Sequence, residues 1–242
     1  MTAHSLSHKS LKPVPEPDDI LWPLLTADPG KPYVIAQLGQ SLDGRIATPT
    51  GASHAINRAC ALDHLHRLRA HVDAVVVGAG TVAADDPLLT VRRVSGRDPA
   101  RVVIDPNGRI PAGARCLAAD GVRCLIVRDA AGAVPQGAEA VILPRTGNIL
   151  APRDIVAALF ARGLRKILIE GGGWTVSSFI DAGVVDRLHV LVAPIILGSG
   201  TTGLSLAPIA GLEEARRPAT RVHVLDDGDV VFDCDLRQPI RG

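Results

Sequence analysis

The stretch RAHVDAVVVGAGTVAADDPLLTVR, residues 69–92, decides the fold of this chain. The apolar run Ala74–Val77 predicts a buried strand, and the glycines of Gly78–Thr81 predict a turn directly after it. The paired acids Asp85-Asp86 follow, and arginines stand at both ends of the stretch. Ligands of α/β proteins bind beyond the carboxyl ends of parallel strands. A strand that ends in a glycine turn, with hydroxyl, carboxylate and guanidinium groups beyond it, therefore predicts the mouth of a ligand site.

The rest of the chain supplies the elements of an α/β protein. Further apolar runs predict strands at 33–41, 101–105, 122–127, 140–143, 166–170 and 187–193. Apolar spacing and start signals predict helices at 58–69, 152–162 and 174–182. Strands that alternate with helices predict a mostly parallel central sheet flanked by helices, and residues 222–234 predict a C-terminal antiparallel β-hairpin.

Two regions are expected along the chain. Residues 1–30 carry five prolines and predict a flexible N-terminal extension, whose last part lies on the surface through Leu21, Trp22, Leu24 and Leu25. Residues 31–242 predict a single domain. The first residues do not resemble a signal peptide, and Pro194 interrupts the longest apolar run, so a soluble cytoplasmic protein is expected.

Composition narrows the classes of function. The net charge is +1, from 26 basic and 25 acidic residues without a basic stripe, which excludes nucleic acid and a membrane surface as expected partners. The four cysteines lack CxxC spacing and are expected to be small buried residues in a reducing compartment. His64 and His66 lie two apart, on different faces of a helix, and are expected at the surface without a metal.

A second glycine turn, Glu170–Gly173, precedes the helix at 174–182. Its glycines allow a ligand to approach the backbone, and the free N–H groups of the helix can receive a phosphate. The first turn formally fits GxGxxA, but Pro87, Gly96 and Pro99 break up the segment before the next strand. A nucleotide bound between the two turns is therefore favoured over a standard Rossmann unit.

A resemblance rests on motifs that occur in order. They are SLDGR at 41–45, LRA at 68–70, DA at 73–74, GAGT at 78–81, DDPLLTVR at 85–92, RVVID at 101–105, EGGG at 170–173, VDRL at 185–188 and APIILG at 193–198. Over residues 31–235 the chain resembles the reductase domain of bacterial riboflavin biosynthesis enzymes and its stand-alone archaeal and fungal counterparts. The zinc motifs of the deaminase domain that precedes this reductase, H-x-E and PCxxC, do not occur.

The resemblance implies a dihydrofolate-reductase-like fold, a homodimer, and NADPH-dependent reduction of the ribosyl group of a 5-phosphoribosylamino-pyrimidine to a ribityl chain. The implied substrate is 5-amino-6-(5-phosphoribosylamino)uracil or its diaminopyrimidinone counterpart. The implied substrate-binding residues are Ser53, Arg69, Leu89, Arg92 and Glu170, with both arginines on the 5′-phosphate and Glu170 on the pyrimidine or ribose. The implied cofactor-binding residues are Gln40, Gly78, Thr81, Asp85, Gly172, Gly173, Trp174, Thr175, Val176, Ser177 and Ser178. Glu170 and Asp43 are the catalytic candidates, and a turn-forming role is the alternative for Asp43.

Several positions depart from the family pattern and keep alternatives open. Gln37 stands where bacterial members commonly carry Lys, Ala55 replaces an aromatic residue, and Pro106 stands where a Ser is usual. The lost hydroxyl makes NADH an alternative to NADPH, and Arg109 is a candidate to compensate. The alternatives for the whole chain are a paralogous NAD(P)H-dependent reductase of another substrate, including a dihydrofolate-type reductase, and a non-catalytic nucleotide-binding protein. Hydrolase mechanisms are disfavoured because metal-ligand spacing and a G-x-S-x-G motif are missing.

Overall fold

The computed structural model describes residues 18–130, 134–147 and 149–239. The strands are β1 Tyr33–Ser41, β2 Arg45–Ala47, β3 Ala74–Gly78, β4 Ala100–Ile104, β5 Cys124–Arg128, β6 Ala138–Ile142, β7 Arg145–Thr146, β8 Ile149–Leu150, β9 Lys166–Ile169, β10 Arg187–Ala193, β11 Thr201–Thr202, β12 Pro218–Val224 and β13 Val230–Pro239. The helices are α1 Trp22–Leu25, α2 Ala59–His71, α3 Ala79–Asp85, α4 Pro152–Phe160 and α5 Gly173–Asp181, with short 3₁₀ helices at Arg115–Leu117 and Leu212–Glu214.

Nine of these strands form one sheet in the order β12-β13-β10-β1-β9-β3-β4-β5-β6. The strands from β10 to β6 are parallel, and the hairpin β12–β13 joins β10 in antiparallel fashion. The predicted α/β class, with a mostly parallel sheet and a C-terminal antiparallel hairpin, is confirmed. The carboxyl ends of the parallel strands meet at one edge of the sheet, where the segments after β3 and β9 lie side by side.

The side chains of each central strand alternate between two apolar layers, because successive residues of a strand point to opposite faces. Val76 and Ile167 pack with the layer of α4 and α5, which includes Phe179. Val75 and Leu168 pack with the layer that contains α2 and α3. Both faces of the sheet are covered, which explains the continuous aliphatic runs in the sequence.

The segment before β1 contributes to the second of these layers. Leu21 and Leu24, at and within α1, are each only 1% exposed and pack beside Leu68 of α2. This burial agrees with the expectation that leucines attach the last part of residues 1–30 to the domain. Residues 1–17 lie outside the described residues, and the boundary of a flexible extension near residue 30 stays a prediction.

The α2 helix begins in an unusual way. Its N-cap residue, Arg58, makes no side-chain capping bond. Instead, carboxylates from the turn between β12 and β13 reach the first turn of the helix. Asp229 Oδ2 accepts the N–H of Arg58 at 2.8 Å, and Asp227 Oδ2 accepts the N–H of Cys60 at 2.8 Å. These acids satisfy free N–H groups and lie at the positive end of the helix dipole.

Two expectations from the sequence are wrong. The residues after Gly78 do not form a turn, because α3 begins at Ala79 and Gly78 itself has an extended backbone. The need for glycine there is steric, since a Cβ on Gly78 would lie 2.8 Å from Thr175 Oγ1. His64 and His66 of α2 are not at the surface either, as the first is 4% exposed and the second is 3% exposed.

Polar partners make this burial of the histidines possible. His64 Nε2 lies 2.9 Å from His189 Nδ1, and His189 Nε2 lies 3.0 Å from Asp233 Oδ1. His66 Nδ1 accepts the backbone N–H of Arg92 at 2.9 Å. Burial lowers the pKa of His64 to about 3 and the pKa of His66 to about 4, so both are neutral at pH 7.

Cys116, Cys124 and Cys234 are buried, Cys60 is partly exposed, and all four are free thiols. Within the described residues, no helix has the length and apolar character needed to cross a bilayer. The same residues contain no group of three or more histidine, cysteine or acidic side chains suited to a metal ion.

Candidate active site

A cavity of about 1010 Å³ opens at the carboxyl edge of the sheet, between α2, α3 and the first turn of α5. It extends from Gln37 of β1 to the loop after β4, where Pro106 and Arg109 line it. Pockets for one small molecule usually enclose about 300–1,000 Å³. The volume of this cavity lies at the upper end of that range.

Most of the site residues predicted from the sequence lie in this cavity. Those that line it are Ser53, Arg69, Gly78, Thr81, Asp85, Leu89, Arg92, Glu170, Gly172, Trp174, Thr175 and Ser178. The predicted residues outside the lining are Gln40, Asp43, Gly173, Val176 and Ser177. Strands β3 and β9 and the helices that follow them carry most of the predicted cofactor residues of this lining. The predicted substrate residues reach the cavity from α2, from the segment after β9 and from loops.

The floor of the cavity carries a buried ion pair. Arg69, near the end of α2, donates from Nε to Glu170 Oε1 at 2.8 Å and from Nη2 to Glu170 Oε2 at 2.6 Å. Its Nη1 donates to the carbonyl of Thr90 at 3.1 Å. Each of the two residues is 5% exposed. Burial alone would lower the pKa of Arg69, but the charge of Glu170 and the hydrogen bonds to it raise the pKa above its ordinary value.

Arg92 lies on the loop that follows α3 and is more accessible. Its Nη1 donates to Thr90 Oγ1 at 2.7 Å, and His66 holds its backbone N–H. Partial burial lowers the pKa of Arg92, and the nearby charges of Arg69 and Arg115 lower it further. Guanidinium remains protonated in proteins, so the contributions of Arg69 and Arg115 show that other positive charges lie near Arg92.

The first turns of α3 and α5 form the middle of the cavity. Thr81 Oγ1 accepts the N–H of Gly172 at 3.0 Å and so joins the two turns. Gly171 has a φ of 108° and lies so close to Thr81 that a Cβ would be 2.7 Å from its Oγ1. Trp174 is 66% exposed beside this junction. Because the first N–H groups of a helix have no partners within it, the start of α5 offers donors to a phosphate group.

The opposite rim contains strained backbone. Leu89 is 1% exposed and adopts a φ of 56°, and Ala55 adopts a φ of 65°. Left-handed conformations of such residues cost about 1–3 kcal/mol and tend to occur at functional sites. Ser53 Oγ donates to Asp85 Oδ1 at 3.1 Å, which links the loop of Ala55 to the end of α3.

The predicted residues outside the lining have structural contacts. Asp43 accepts from Ser41 Oγ at 2.7 Å, from the N–H of Leu197 at 3.1 Å and from the N–H of Gly198 at 2.7 Å. The hydrogen bond from Ser41 is the main cause that lowers the pKa of Asp43 to about 2, so the side chain is ionised. Its contacts tie the turn after β1 to the loop after β10.

The others lie behind the first turn of α5. Val176 is fully buried in the apolar core, and Ser177 Oγ accepts the N–H of Ser205 at 2.8 Å. Gly173 packs against the backbone of Gly203, and a Cβ on Gly203 would lie 2.5 Å from Gln40 Oε1. These residues position the wall of the cavity from behind.

Sequence reasoning missed Arg115, which lines the cavity in the 3₁₀ helix after β4. Its backbone N–H donates to Asp86 Oδ1 at 2.7 Å, which fixes this loop to the end of α3. Asn57, which donates to Asp229 Oδ2 at 3.1 Å, was missed as a lining residue as well. No local sequence signal marks either residue, because both reach the cavity through long-range loop contacts.

The family model described as RibD C-terminal domain matches residues 32–223 of this chain. The chain belongs to this family. The predicted membership in the riboflavin biosynthesis reductases is thereby confirmed.

Named relatives include members of two lengths. The chain is 35% identical over 193 residues to the 2,5-diamino-6-ribosylamino-4(3H)-pyrimidinone 5′-phosphate reductase of Methanothermobacter thermautotrophicus. This match covers 76% of this chain and 87% of that protein. The chain is also 32% identical over 208 residues to the riboflavin biosynthesis protein RibD of Aquifex aeolicus. This second match covers 84% of this chain and 57% of that protein. The chain thus spans little more than half of the RibD protein.

A crystal structure from Thermotoga maritima agrees with the fold. The protein is a diaminohydroxyphosphoribosylaminopyrimidine deaminase/5-amino-6-(5-phosphoribosylamino)uracil reductase, and the match has a TM-score of 0.74 at 26% identity. It covers 86% of this chain and 57% of the other. The RibD C-terminal domain fold therefore extends over most of the described residues.

Proposed function

We propose that this protein uses NADPH to reduce the ribosyl group of a 5-phosphoribosylamino-pyrimidine to the ribityl chain in riboflavin biosynthesis. The observation that carries the proposal is the single cavity in which the implied substrate residues Leu89, Arg92 and Glu170 stand beside the implied cofactor residues Thr81 and Gly172. The first-named relative is a reductase of this kind.

The junction of α3 and α5 suits a dinucleotide. Gly171 and Gly172 bring backbone close to the cavity, the start of α5 presents free N–H groups, and Trp174 exposes an aromatic face at its edge. The backbone of this junction would hold the pyrophosphate, and the part of the cavity next to Glu170 would receive the nicotinamide. The bound cofactor supplies the hydride that C1′ of the opened ribosyl group receives.

The task of the protein residues is then to hold two ligands at reacting distance. Ser53, Leu89 and Arg92 would hold the sugar phosphate on the α3 side of the cavity. Arg69 orients Glu170 through two hydrogen bonds, and the carboxylate of Glu170 would accept a hydrogen bond from the pyrimidine or the ribose. The walls of α2 and α5 would limit the access of water to the reacting carbon.

NADPH is preferred over NADH in this proposal because of Arg109. This side chain lines the cavity beyond β4 and has no carboxylate within 4.0 Å among the described residues. Asp105 holds the loop by accepting the N–H groups of Arg109 at 2.8 Å and Ile110 at 3.0 Å. A free guanidinium at this end suits the 2′-phosphate of NADPH.

Two further assignments belong to the proposal. The free thiols of the four cysteines suit the cytoplasm, which is a reducing compartment.

A homodimer is favoured by the apolar side chains that the terminal hairpin exposes, where Val222 is 55%, Val224 is 73% and Phe232 is 37% exposed. Light scattering coupled to size-exclusion chromatography would detect a mass twice that of the chain if this surface joins two copies.

The decisive experiment is a spectrophotometric assay of NADPH and NADH oxidation with both pyrimidines, the uracil and the diaminopyrimidinone. Arg92→Ala should lower kcat/KM by about 100-fold, because a charge-assisted contact to phosphate is lost. Arg93→Ala is the matched control, since Arg93 is next in the chain, pairs with Asp63 and lies outside the cavity lining. Turnover of one pyrimidine identifies the substrate.

Two other outcomes would contradict the proposal. Gln37 and Ala55, which line the cavity and depart from the family pattern, favour a paralogous reductase as the second candidate. Cofactor oxidation with another carbonyl or imine substrate, but with neither pyrimidine, would support that candidate. Cofactor binding without any turnover would indicate a non-catalytic nucleotide-binding protein.

A further inference from the structure

The arginines that are free to bind a phosphate in the structure are not the pair that the sequence motifs imply. The motifs assign the substrate phosphate to Arg69 and Arg92. In the structure, both oxygens of Glu170 are engaged by Arg69, and the third donor of Arg69 reaches a backbone carbonyl. The charge of Arg69 is thus balanced within the protein, and each of its three nitrogen atoms already donates to a partner.

Arg92 and Arg115 differ from Arg69 in this respect. Neither has a carboxylate within 4.0 Å, as judged over residues 18–130, 134–147 and 149–239. Arg92 uses one nitrogen to reach Thr90 Oγ1, and the side chain of Arg115 has no hydrogen-bond partner within those same ranges. Both line the cavity. Burial and then the charge of Arg69 are the main causes that lower the pKa of Arg92, and the charge of Arg115 adds to them.

The backbone explains why Arg115 stands there. Asp86 ends α3 with a φ of 39°, and its carboxylate receives the N–H of Arg115 at 2.7 Å. This bond fixes the loop between β4 and β5 against the loop between α3 and β4. Two guanidinium groups from different loops are therefore held on one side of the cavity, although like charges repel.

We propose that Arg115 binds the phosphate of the substrate together with Arg92, and that Arg69 is a positioning residue that orients Glu170. The inference rests on the proposed function for the identity of the substrate. A phosphate monoester carries close to two negative charges at pH 7, which two guanidinium groups without acidic partners complement. Each guanidinium can offer two parallel donors to the phosphate oxygens.

The test measures kinetics and binding for wild type, Arg115→Ala, Arg115→Lys and the control Arg93→Ala. Arg115→Ala should raise the KM of the phosphorylated pyrimidine by about 10- to 100-fold and leave the KM of NADPH unchanged. The same variant should not change the weak turnover of the dephosphorylated pyrimidine riboside. Arg115→Lys should recover part of the loss, since it keeps the charge without the forked donors.

A second readout does not depend on turnover. Calorimetric titration with ribose 5-phosphate should show binding to wild type and Arg93→Ala, and binding at least about tenfold weaker to Arg115→Ala. Inorganic phosphate should compete with ribose 5-phosphate in wild type, because the phosphate group provides the shared contact.

The outcomes separate this inference from the proposed function. If ribose 5-phosphate binding depends on Arg115 but neither pyrimidine is reduced, the proposed substrate is wrong and the role of Arg115 stands. If a pyrimidine is reduced and Arg115→Ala behaves like Arg93→Ala, the proposed function stands and the inference is wrong. Equal losses with phosphorylated and dephosphorylated substrate would likewise overturn the inference.

Discussion

Replacing Glu170 by Gln should destabilise the protein more than most single changes. The side chains of Glu170 and Arg69 are each 7% exposed, and two charge-assisted hydrogen bonds of 2.8 Å and 2.6 Å join them. Glu170→Gln keeps the shape but removes the negative charge, so the buried guanidinium keeps only neutral acceptors, namely the amide oxygen at position 170 and the carbonyl of Thr90.

The magnitude follows from the separation of the charges. Two unit charges about 4 Å apart attract by about 4 kcal/mol at an effective dielectric constant of about 20. Breaking one side of a buried pair typically costs about 3–5 kcal/mol. Because a domain is usually stable by only about 5–15 kcal/mol, the change should be plain in equilibrium unfolding.

The assay is urea unfolding of wild type, Glu170→Gln, Arg69→Met and the double variant. The single changes should each lower the free energy of unfolding by about 3–5 kcal/mol. The double variant should lose less than their sum by at least about 2 kcal/mol, since it contains no buried unpaired charge. Asp63→Asn serves as the control, because the Asp63–Arg93 pair is exposed and should contribute less than about 1 kcal/mol. Additive losses of the size seen in the control would refute the assignment of a coupled buried pair.

Three other predictions test neighbouring features. Gly173→Ala should abolish cofactor binding in a fluorescence titration, because its Cβ would lie 1.6 Å from the carbonyl oxygen of Gly203, whereas Gly80→Ala, with open space around its Cβ, should bind normally. Lowering the pH from 6.5 to about 4 should lower the free energy of unfolding by about 3 kcal/mol through His66, because the pKa of His66 is 6.5 in the unfolded chain and about 4 in the folded chain, so the unfolded chain binds the proton first. His66→Asn should flatten this part of the dependence of the unfolding free energy on pH, measured by urea unfolding. Asp43→Asn should lower the thermal midpoint and keep kcat, whereas a loss of about 100-fold or more in kcat at an unchanged midpoint would indicate proton transfer by Asp43.

The aliphatic strands could be predicted from the sequence because their signal is local. Tyr33–Ser41 and Arg187–Ala193 have the predicted bounds, since both runs are apolar and buried on both faces of the sheet. The reason why a given position requires glycine was harder to predict from the sequence. The requirement at Gly78 arises from Thr175, almost a hundred residues further along the chain, and not from its own backbone angles.

The polar interior could not be predicted for the same reason. His64 is tolerated inside because His189 and Asp233 come from distant strands. Arg69 and Glu170 lie 101 residues apart in the sequence. The motifs assign each of these side chains to a ligand, but in the structure they bind one another. Most of the residues that the motifs identified reach the cavity, although Arg115 was missed, and the three-dimensional structure determines which of them are free to bind.

The carboxylates that cap α2 have a consequence for how the protein is made. This helix carries Arg69 at its far end, yet its first turn depends on Asp227 and Asp229, which the ribosome adds about 170 residues later. A helix of 13 residues is marginal on its own in water. We therefore expect nascent chains that stop short of the last hairpin to lack a formed active site, however much of the sheet has already assembled. Activity should appear abruptly during synthesis, once the hairpin has left the ribosome.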